Sequence, residues 1–333
     1  MLWKRSFGKG AWLPAITAVA ILLGFTVAPG AEYPTRPVKI IIPYSAGGVS
    51  DLTWRSMSDT IAKSLGQPLI IENKAGGGTT LGTTVVAAAK PDGYTVGHLT
   101  MGTFINNCLS YDVSYDPLKS FSYVAGVAYY AQSIIVKPDS PWKTWDEFVE
   151  YSKKNPNTIR MGFSNVVGTN SVSAKWIAKK LGLQWKYVTF PAEAEAITAF
   201  LGGHIDAYPG GGAHNILVKD GRARMLLALT IDPIPGYPQV PTFKELYKRN
   251  VMNANGMLVP VGVPPQILAK LEKAVQEGTK SSEFIRTMGK MDMTPRFRSS
   301  KEFTEDIQAA LVSFQELLKD LDMLKKKVTL PQQ

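Results

Sequence analysis

The sequence predicts an α/β protein built as two lobes, each a mostly parallel sheet flanked by helices. Short β-branched runs alternate with amphipathic helical stretches, the pattern of strand-helix-strand units. The alternation comes in two consecutive series, each with its own apolar positions, within 333 residues that are 45% hydrophobic. That is enough chain for two cores of ordinary size. Glycine-rich loops also stand where strands give way to helices, at 45–50 and 75–79.

The chain opens with Lys4, Arg5 and Lys9, an apolar stretch over 11–27, and small residues before Glu32. This is the layout of a secretory signal, expected over 1–31, and the stretch is short for a spanning helix of about 20 residues. The chain is therefore expected to be exported. Of 37 Lys and Arg, three lie in that segment, so 34 stand against 27 Asp and Glu, a net +7. The longest basic run is only 325–327, so no nucleic-acid partner is expected.

The first lobe is expected over 32–130 together with 230–333, and the second over 131–229. Strand 38–42 leads to helix 52–65, where Met57, Ile61 and Leu65 share one face, and Gly66 with Pro68 stops the helix. Strand 69–72, helix 80–89 and strand 94–99 follow. After the strand-like FSYVAGV and SIIV, Thr144 and Glu147 form a capping box that opens a helix to 154. Strands are expected at 159–163, 187–190, 205–208 and 225–229, and helices at 171–181 and 192–201. Two further capping boxes, Thr242 with Glu245 and Ser299 with Glu302, and the pair Pro264-Pro265 mark helix starts in the last third. No flexible linker separates the series, so crossing strands should join the lobes around a hinged cleft.

Two loops share one design. In the first, Ala46, Gly47, Gly48, Val49 and Ser50 lie between a strand and a helix; in the second, Gly76, Gly77 and Gly78 precede Thr79 and Thr80. Glycine lets backbone approach a ligand closely, and free N–H groups at a helix start favour an anion. Both loops fall at carboxyl ends of strands, the usual ligand edge of an open α/β sheet. A helix N-terminus contributes about 0.3–2 kcal/mol and each hydrogen bond to a charged group about 1.5–3 kcal/mol. A few such donors reach the roughly 8 kcal/mol of micromolar binding without an arginine. Asp51 and Thr80 are residue types that cap helices, which is their first reading within this candidate set.

Other chemistries lack their residues. Leu81 stands where a third dinucleotide-type glycine would be required, and no GxxxxGK[ST] occurs. His98, His204 and His214 have no metal spacing, and no GxSxG elbow is present. The single cysteine, Cys108, forms no intrachain disulfide. No cofactor, metal or catalytic residue is expected. His98 ends a strand beside LTMGT and either lines the cleft or is satisfied by backbone.

In this setting the chain resembles a known family, the extracytoplasmic solute-binding components of tripartite tricarboxylate transporters (TctC or Bug). YPTRPVKIIIPYSAGGVSDLTWR (33–55) is similar to the family's YPxRPI, an apolar strand, then PGGxxDxxAR. LGQPLIIENKAGGGTTLG (65–82) and KPDGYTVGHLT (90–100) resemble its LGQPVVVENRPGAGGxxG and PDGYTLLLGT. LGGHIDAYPG, YPQVPTFKEL and GMLVPVGVPPQILAKL continue the match in order through most of 33–320.

The resemblance implies a type II periplasmic-binding-protein (Venus flytrap) fold that closes on a small organic acid. In the family, two glycine loops and a second-lobe loop embrace the ligand through backbone amides and waters. The first loop carries over to Ala46, Gly47, Gly48 and Asp51, and the second to Gly76, Gly78 and Thr80. A strand-end loop carries over to Thr100, Met101, Gly102 and Thr103, and GFSNVVGTN to Ser164, Asn165, Gly168 and Thr169. Ala46 replaces the family's usual proline. Phe190, Pro191, Ala192 and Glu193 stand where a lysine and two glycines are common, and AYPGG, with Tyr208, replaces LMFDN. Phe190, Glu193 and Tyr208 complete the candidates, and Glu193 near the cleft would repel a second ligand carboxylate.

The expected function is a non-enzymatic, monomeric solute-binding protein that delivers a small carboxylate to membrane permease subunits. A ligand sensor for a membrane kinase and a secreted α/β enzyme are the alternatives.

Overall fold

The computed structural model describes residues 33–164, 166–212, 214–291 and 293–330. The expected signal over 1–31 and the candidate Asn165 lie outside the described residues.

The described chain forms two sheets flanked by helices. The first has the order β11-β4-β10-β3-β1-β2, from β1 (Val38–Ile42), β2 (Leu69–Asn73), β3 (Thr95–Thr100), β4 (Phe121–Tyr130), β10 (Ala254–Pro260) and β11 (Met293–Arg298). The second has the order β7-β6-β8-β5-β9, from β5 (Ser133–Val136), β6 (Arg160–Phe163), β7 (Lys186–Thr189), β8 (Ala207–Gly210) and β9 (Arg224–Ala228). The helices that matter for the site are α1 (Val49–Leu65), α2 (Thr80–Ala87), α3 (Met101–Ser110), α4 (Trp145–Lys154), α5 (Thr169–Leu181) and α6 (Glu193–Leu201). Further along lie α7 (His214–Lys219), α8 (Phe243–Tyr247), α9 (Pro265–Thr279), α10 (Ser282–Lys290) and α11 (Ser300–Asp320).

The α/β, two-sheet architecture is as expected, but each sheet is mixed rather than mostly parallel. β1, β2 and β3 run parallel, as do β6, β7 and β8; β10 is antiparallel to β3, and β5 to β8. Connectivity explains this. The chain crosses from one sheet to the other at 131–132 and returns after β9. A strand arriving from the other sheet enters at the edge where the parallel strands end, so it must run against them.

Local signals are realised where they are short-range. All three capping boxes are present, with Thr144, Thr242 and Ser299 each accepting from the backbone of the glutamate three residues on. Pro265 begins α9 behind Pro264, and Gly66 closes α1 in the left-handed region at φ 75°. The first lobe was expected to resume at 230, yet α8 rests on helices of the second sheet: the Phe243 ring lies 5.7 Å from Trp176, and Trp145 Nε1 donates to Tyr247 Oη at 3.0 Å. Contacts with α11 begin at Arg249, which pairs with Glu316 at 2.8 Å.

In the first core, Phe303 of α11 lies edge-on to Tyr123, with ring centres 6.1 Å apart, over the glycine floor of Gly126 and Gly256. A Cβ at Gly256 would stand 2.7 Å from the Ala125 carbonyl oxygen and would overlap the Phe303 ring. Gly256→Ala should therefore destabilise the protein by about 1–3 kcal/mol in urea unfolding, since central strand and ring cannot both move aside. A loss below about 0.5 kcal/mol would mean that the floor yields.

Candidate functional site

The carboxyl ends of β1, β2 and β3 and of β6, β7 and β8 meet at one cleft of about 800 Å³. Each contributes the loop or helix start that follows it, the arrangement expected of open α/β sheets.

On the first sheet's side, β1 ends in Pro43, Tyr44, Ser45 and Ala46, and α1 begins behind Gly48, which is extended at φ −78° and ψ 171°. The first intrahelical bond runs from Leu52 N to Gly48 O, leaving the amides of Val49 and Ser50 without an acceptor inside the helix. Gly47 differs: its N–H donates to Asp51 Oδ2 at 2.8 Å. Asp51, 1% exposed, also accepts from Arg55 Nε at 2.8 Å and Asn73 Nδ2 at 3.1 Å. From the first turn of α1 it ties down the Gly47 amide behind the loop, and it does not line the cleft.

Burial alone would raise the Asp51 carboxyl, but the bonds from Arg55, Gly47 and Asn73 outweigh it and hold it below the usual range. A depressed carboxyl stabilises above its unfolded value of about 3.9, and that stability is lost as pH falls through the folded value. From pH 5 to 3, the melting temperature of the wild type should fall more steeply than that of Asp51→Asn. Parallel slopes would count against this assignment.

The second loop turns through positive φ at Gly76, Gly77, Gly78 and Thr79. Thr79, at φ 86°, is the one β-branched residue in that run, a strained position for such a side chain. Asn107 of α3 holds it, donating from Nδ2 to Gly78 O at 2.7 Å and to Thr79 Oγ1 at 3.0 Å. Gly76, Gly78 and Thr79 line the cleft, whereas Gly77 and Thr80 do not; Thr80 Oγ1 turns back onto Gly77 O at 2.8 Å.

Residues 100–103 are not a loop, because β3 passes directly into α3 at Met101. Thr100 and Thr103 reach the cleft, while Met101 is buried in the core. Gly102 N donates to Asn253 Oδ1 at 2.9 Å, so that helix start is satisfied from within.

Behind the cleft runs a buried polar chain. Trp54 Nε1 donates to His98 Nδ1 at 2.9 Å, so the neutral imidazole carries its proton on Nε2, 3.2 Å from Thr100 Oγ1. Thr100 Oγ1 donates to Asn255 Oδ1 at 3.1 Å, which also accepts from Tyr130 Oη at 2.9 Å. Burial lowers the His98 pKa to about 3, so this histidine stays neutral and supports the wall rather than lining it.

The second sheet supplies Ser164, then Gly168, Thr169 and Asn170 at the start of α5, then Pro191, Ala192, Glu193 and Ala194 at the start of α6, and Gly211 after β8. Thr169, 1% exposed, has no hydrogen-bond partner for its Oγ1. Tyr208 is buried, within 3.2 Å of Ser164 Oγ through its hydroxyl, and Phe190 donates its N–H to Phe163 O at 2.7 Å; neither lines the cleft. Glu193 does, with Oε1 accepting from Gly211 N at 3.1 Å. Burial raises its pKa, while the Gly211 and Gly212 amides oppose the rise.

The structure thus brings together Ala46, Gly47, Gly48, Val49, Ser50, Gly76, Gly78, Thr79, Thr100, Thr103, Ser164, Gly168, Thr169 and Glu193. Sequence reasoning missed Tyr44, Ser45, Asn170, and the crossover residues Tyr130, Gln132 and Asn253. Tyr44 and Ser45 directly precede the first loop and were within reach of the same strand-end argument. The crossover residues carry no local pattern. Among the described residues, no group of three or more His, Cys, Asp or Glu could hold a metal ion, and no helix is long and apolar enough to cross a membrane.

The family model described as "Tripartite tricarboxylate transporter family receptor" matches residues 53–323. The UPF0065 protein in the gbd 5' region of Cupriavidus necator is 31% identical over 306 residues, covering 91% of this chain and 93% of the relative. Among solved structures, periplasmic binding protein BugD is 26% identical with a TM-score of 0.75, over 88% of this chain and all of that one (100%). MatC from Rhodopseudomonas palustris, solved with bound malate, is 25% identical with a TM-score of 0.74, over 86% of this chain and 100% of that one. With a family match over most of its length, two cleft-forming sheets and helix starts aimed between them, this chain belongs to the tripartite tricarboxylate transporter receptor family.

Proposed function

We propose that this chain is an extracytoplasmic, non-catalytic solute-binding protein that captures a small organic acid between its two lobes and passes it to a membrane permease of the tripartite tricarboxylate type. One observation carries the reading: the starts of α1 and α5 and the glycine turn at 76–79 open into the same cleft from opposite sheets. The first-turn amides of α1 and α5, which have no acceptor within their helices, and the helix dipoles favour a carboxylate. The malate in the MatC structure supports a carboxylate as cargo.

In this reading Val49, Ser50 and Gly78 grip through the main chain, and Ser164, Gly168 and Thr169 from the other side. The lobes hinge at 131–132 and 248–253, and a ligand that touches both favours the closed form. Among the described residues the one serine-histidine hydrogen bond, Ser133 Oγ with His214 Nε2 at 2.6 Å, joins two fully buried side chains that do not line the cleft, in keeping with a non-catalytic role.

Thermal-shift screening against mono-, di- and aromatic carboxylates, amines and neutral solutes tests this proposal. Stabilisation by carboxylates is expected. Stabilisation by amines or neutral solutes alone would overturn it.

A further inference from the structure

Among the helices that start at the cleft, α1, α5 and α6 differ in what meets their amino ends. α1 presents Val49 and Ser50, with its one early acid, Asp51, turned back onto Gly47. α5 presents Thr169 and Asn170 and has no acid in its first turn. α6 begins with Glu193, whose carboxylate already takes the Gly211 amide and complements that helix end. Of these three helix starts, the protein fills one with its own carboxylate.

Glu193 is the one carboxylate among the described lining residues, and those residues include no Lys, Arg or His. A second acceptor lies on the same wall. The Gln132 side-chain oxygen, 4% exposed, has no hydrogen-bond partner. A ligand carboxylate placed on this side would meet like charge at low dielectric and an acceptor with nothing to accept. A ligand N–H group would satisfy both.

We propose that Glu193 sets specificity by excluding dicarboxylates and selecting a monocarboxylate that carries an ammonium or amide donor at its other end. The inference rests on the carboxylate-binding reading above. It narrows the ligand to one acid group, held by α1, α5 and the glycine turn, with the donor end turned towards Glu193 and Gln132. Burial raises the Glu193 pKa, consistent with a carboxylate that gains from a cationic or donating neighbour.

Calorimetric titration of the exported chain compares matched series: 3-aminopropanoate to 6-aminohexanoate and the corresponding ω-amides, against malonate to adipate. At the best chain length, the wild type should favour the amino or amide acid at least tenfold, about 1.4 kcal/mol. Glu193→Gln should reduce or invert that ratio by at least tenfold. Glu195→Gln, an exposed neighbour in the same helical turn with the same change in charge, should leave it unmoved. Melting curves of both variants without ligand confirm that each is folded. A wild type that binds a dicarboxylate at least as tightly, or a ratio unchanged by Glu193→Gln, overturns the specificity claim while carboxylate binding stands. Failure of every carboxylate with both folded proteins overturns the parent reading and this inference together.

Discussion

Val49→Pro should weaken carboxylate binding about 10- to 150-fold while leaving the unliganded protein as stable as the wild type. Val49 is the first residue of α1, where a helix tolerates proline because the lost N–H has no acceptor within the helix. The preceding Gly48 is extended, at φ −78° and ψ 171°, the conformation proline requires of its neighbour. The substitution therefore removes one main-chain donor and little else. A hydrogen bond to a charged group contributes about 1.5–3 kcal/mol, which gives the stated range. Calorimetry against whichever acid the screen selects would read it. Unchanged affinity in a folded variant would show that the α1 amide is not part of the grip.

Asn255→Ala should cost about 2–4 kcal/mol of folding stability, the largest single-residue effect expected of the site's supporting wall. Asn255 is fully buried on β10, at the centre of the first sheet. Its Oδ1 accepts from Thr100 Oγ1 and Tyr130 Oη, and its Nδ2 donates to Thr53 Oγ1 at 3.3 Å. Alanine leaves buried hydroxyls without that partner and opens a void beside them. Because Tyr130 lines the cleft and Thr100 joins the chain to His98, ligand affinity should fall together with stability. Urea unfolding checks the first effect. A loss under about 1 kcal/mol would mean that the hydroxyls find other partners.

How far the sequence carried this reading follows the range of each interaction. The three capping boxes, the proline start of α9 and the glycine stop of α1 depend on residues within four positions of one another, and all were legible. So were the two glycine loops, because a strand followed by glycines and a helix is itself a local pattern. The mixed sheets were not legible, because strand direction depends on which sheet a segment enters and from which edge. Tyr130, Gln132 and Asn253 escaped for the same reason: they reach the cleft only because the chain crosses there twice. Asp51 shows the finer limit. Its residue type was compatible with capping or with ligand contact, and only the 2.8 Å bond to Gly47 decides for capping, withdrawing one amide from the expected grip. Glu193 was recognisable as a departure from the family pattern, but the Gly211 partner that fixes its carboxylate in the cleft lies 18 residues away.

The most direct test of main-chain capture is an amide proton-nitrogen NMR titration of the protein with a carboxylate that stabilises it. Amide proton resonances of Val49, Ser50, Gly78 and Thr169 should move downfield and saturate along the calorimetric binding curve. Saturable binding that leaves all four in place and shifts amides elsewhere would contradict the account.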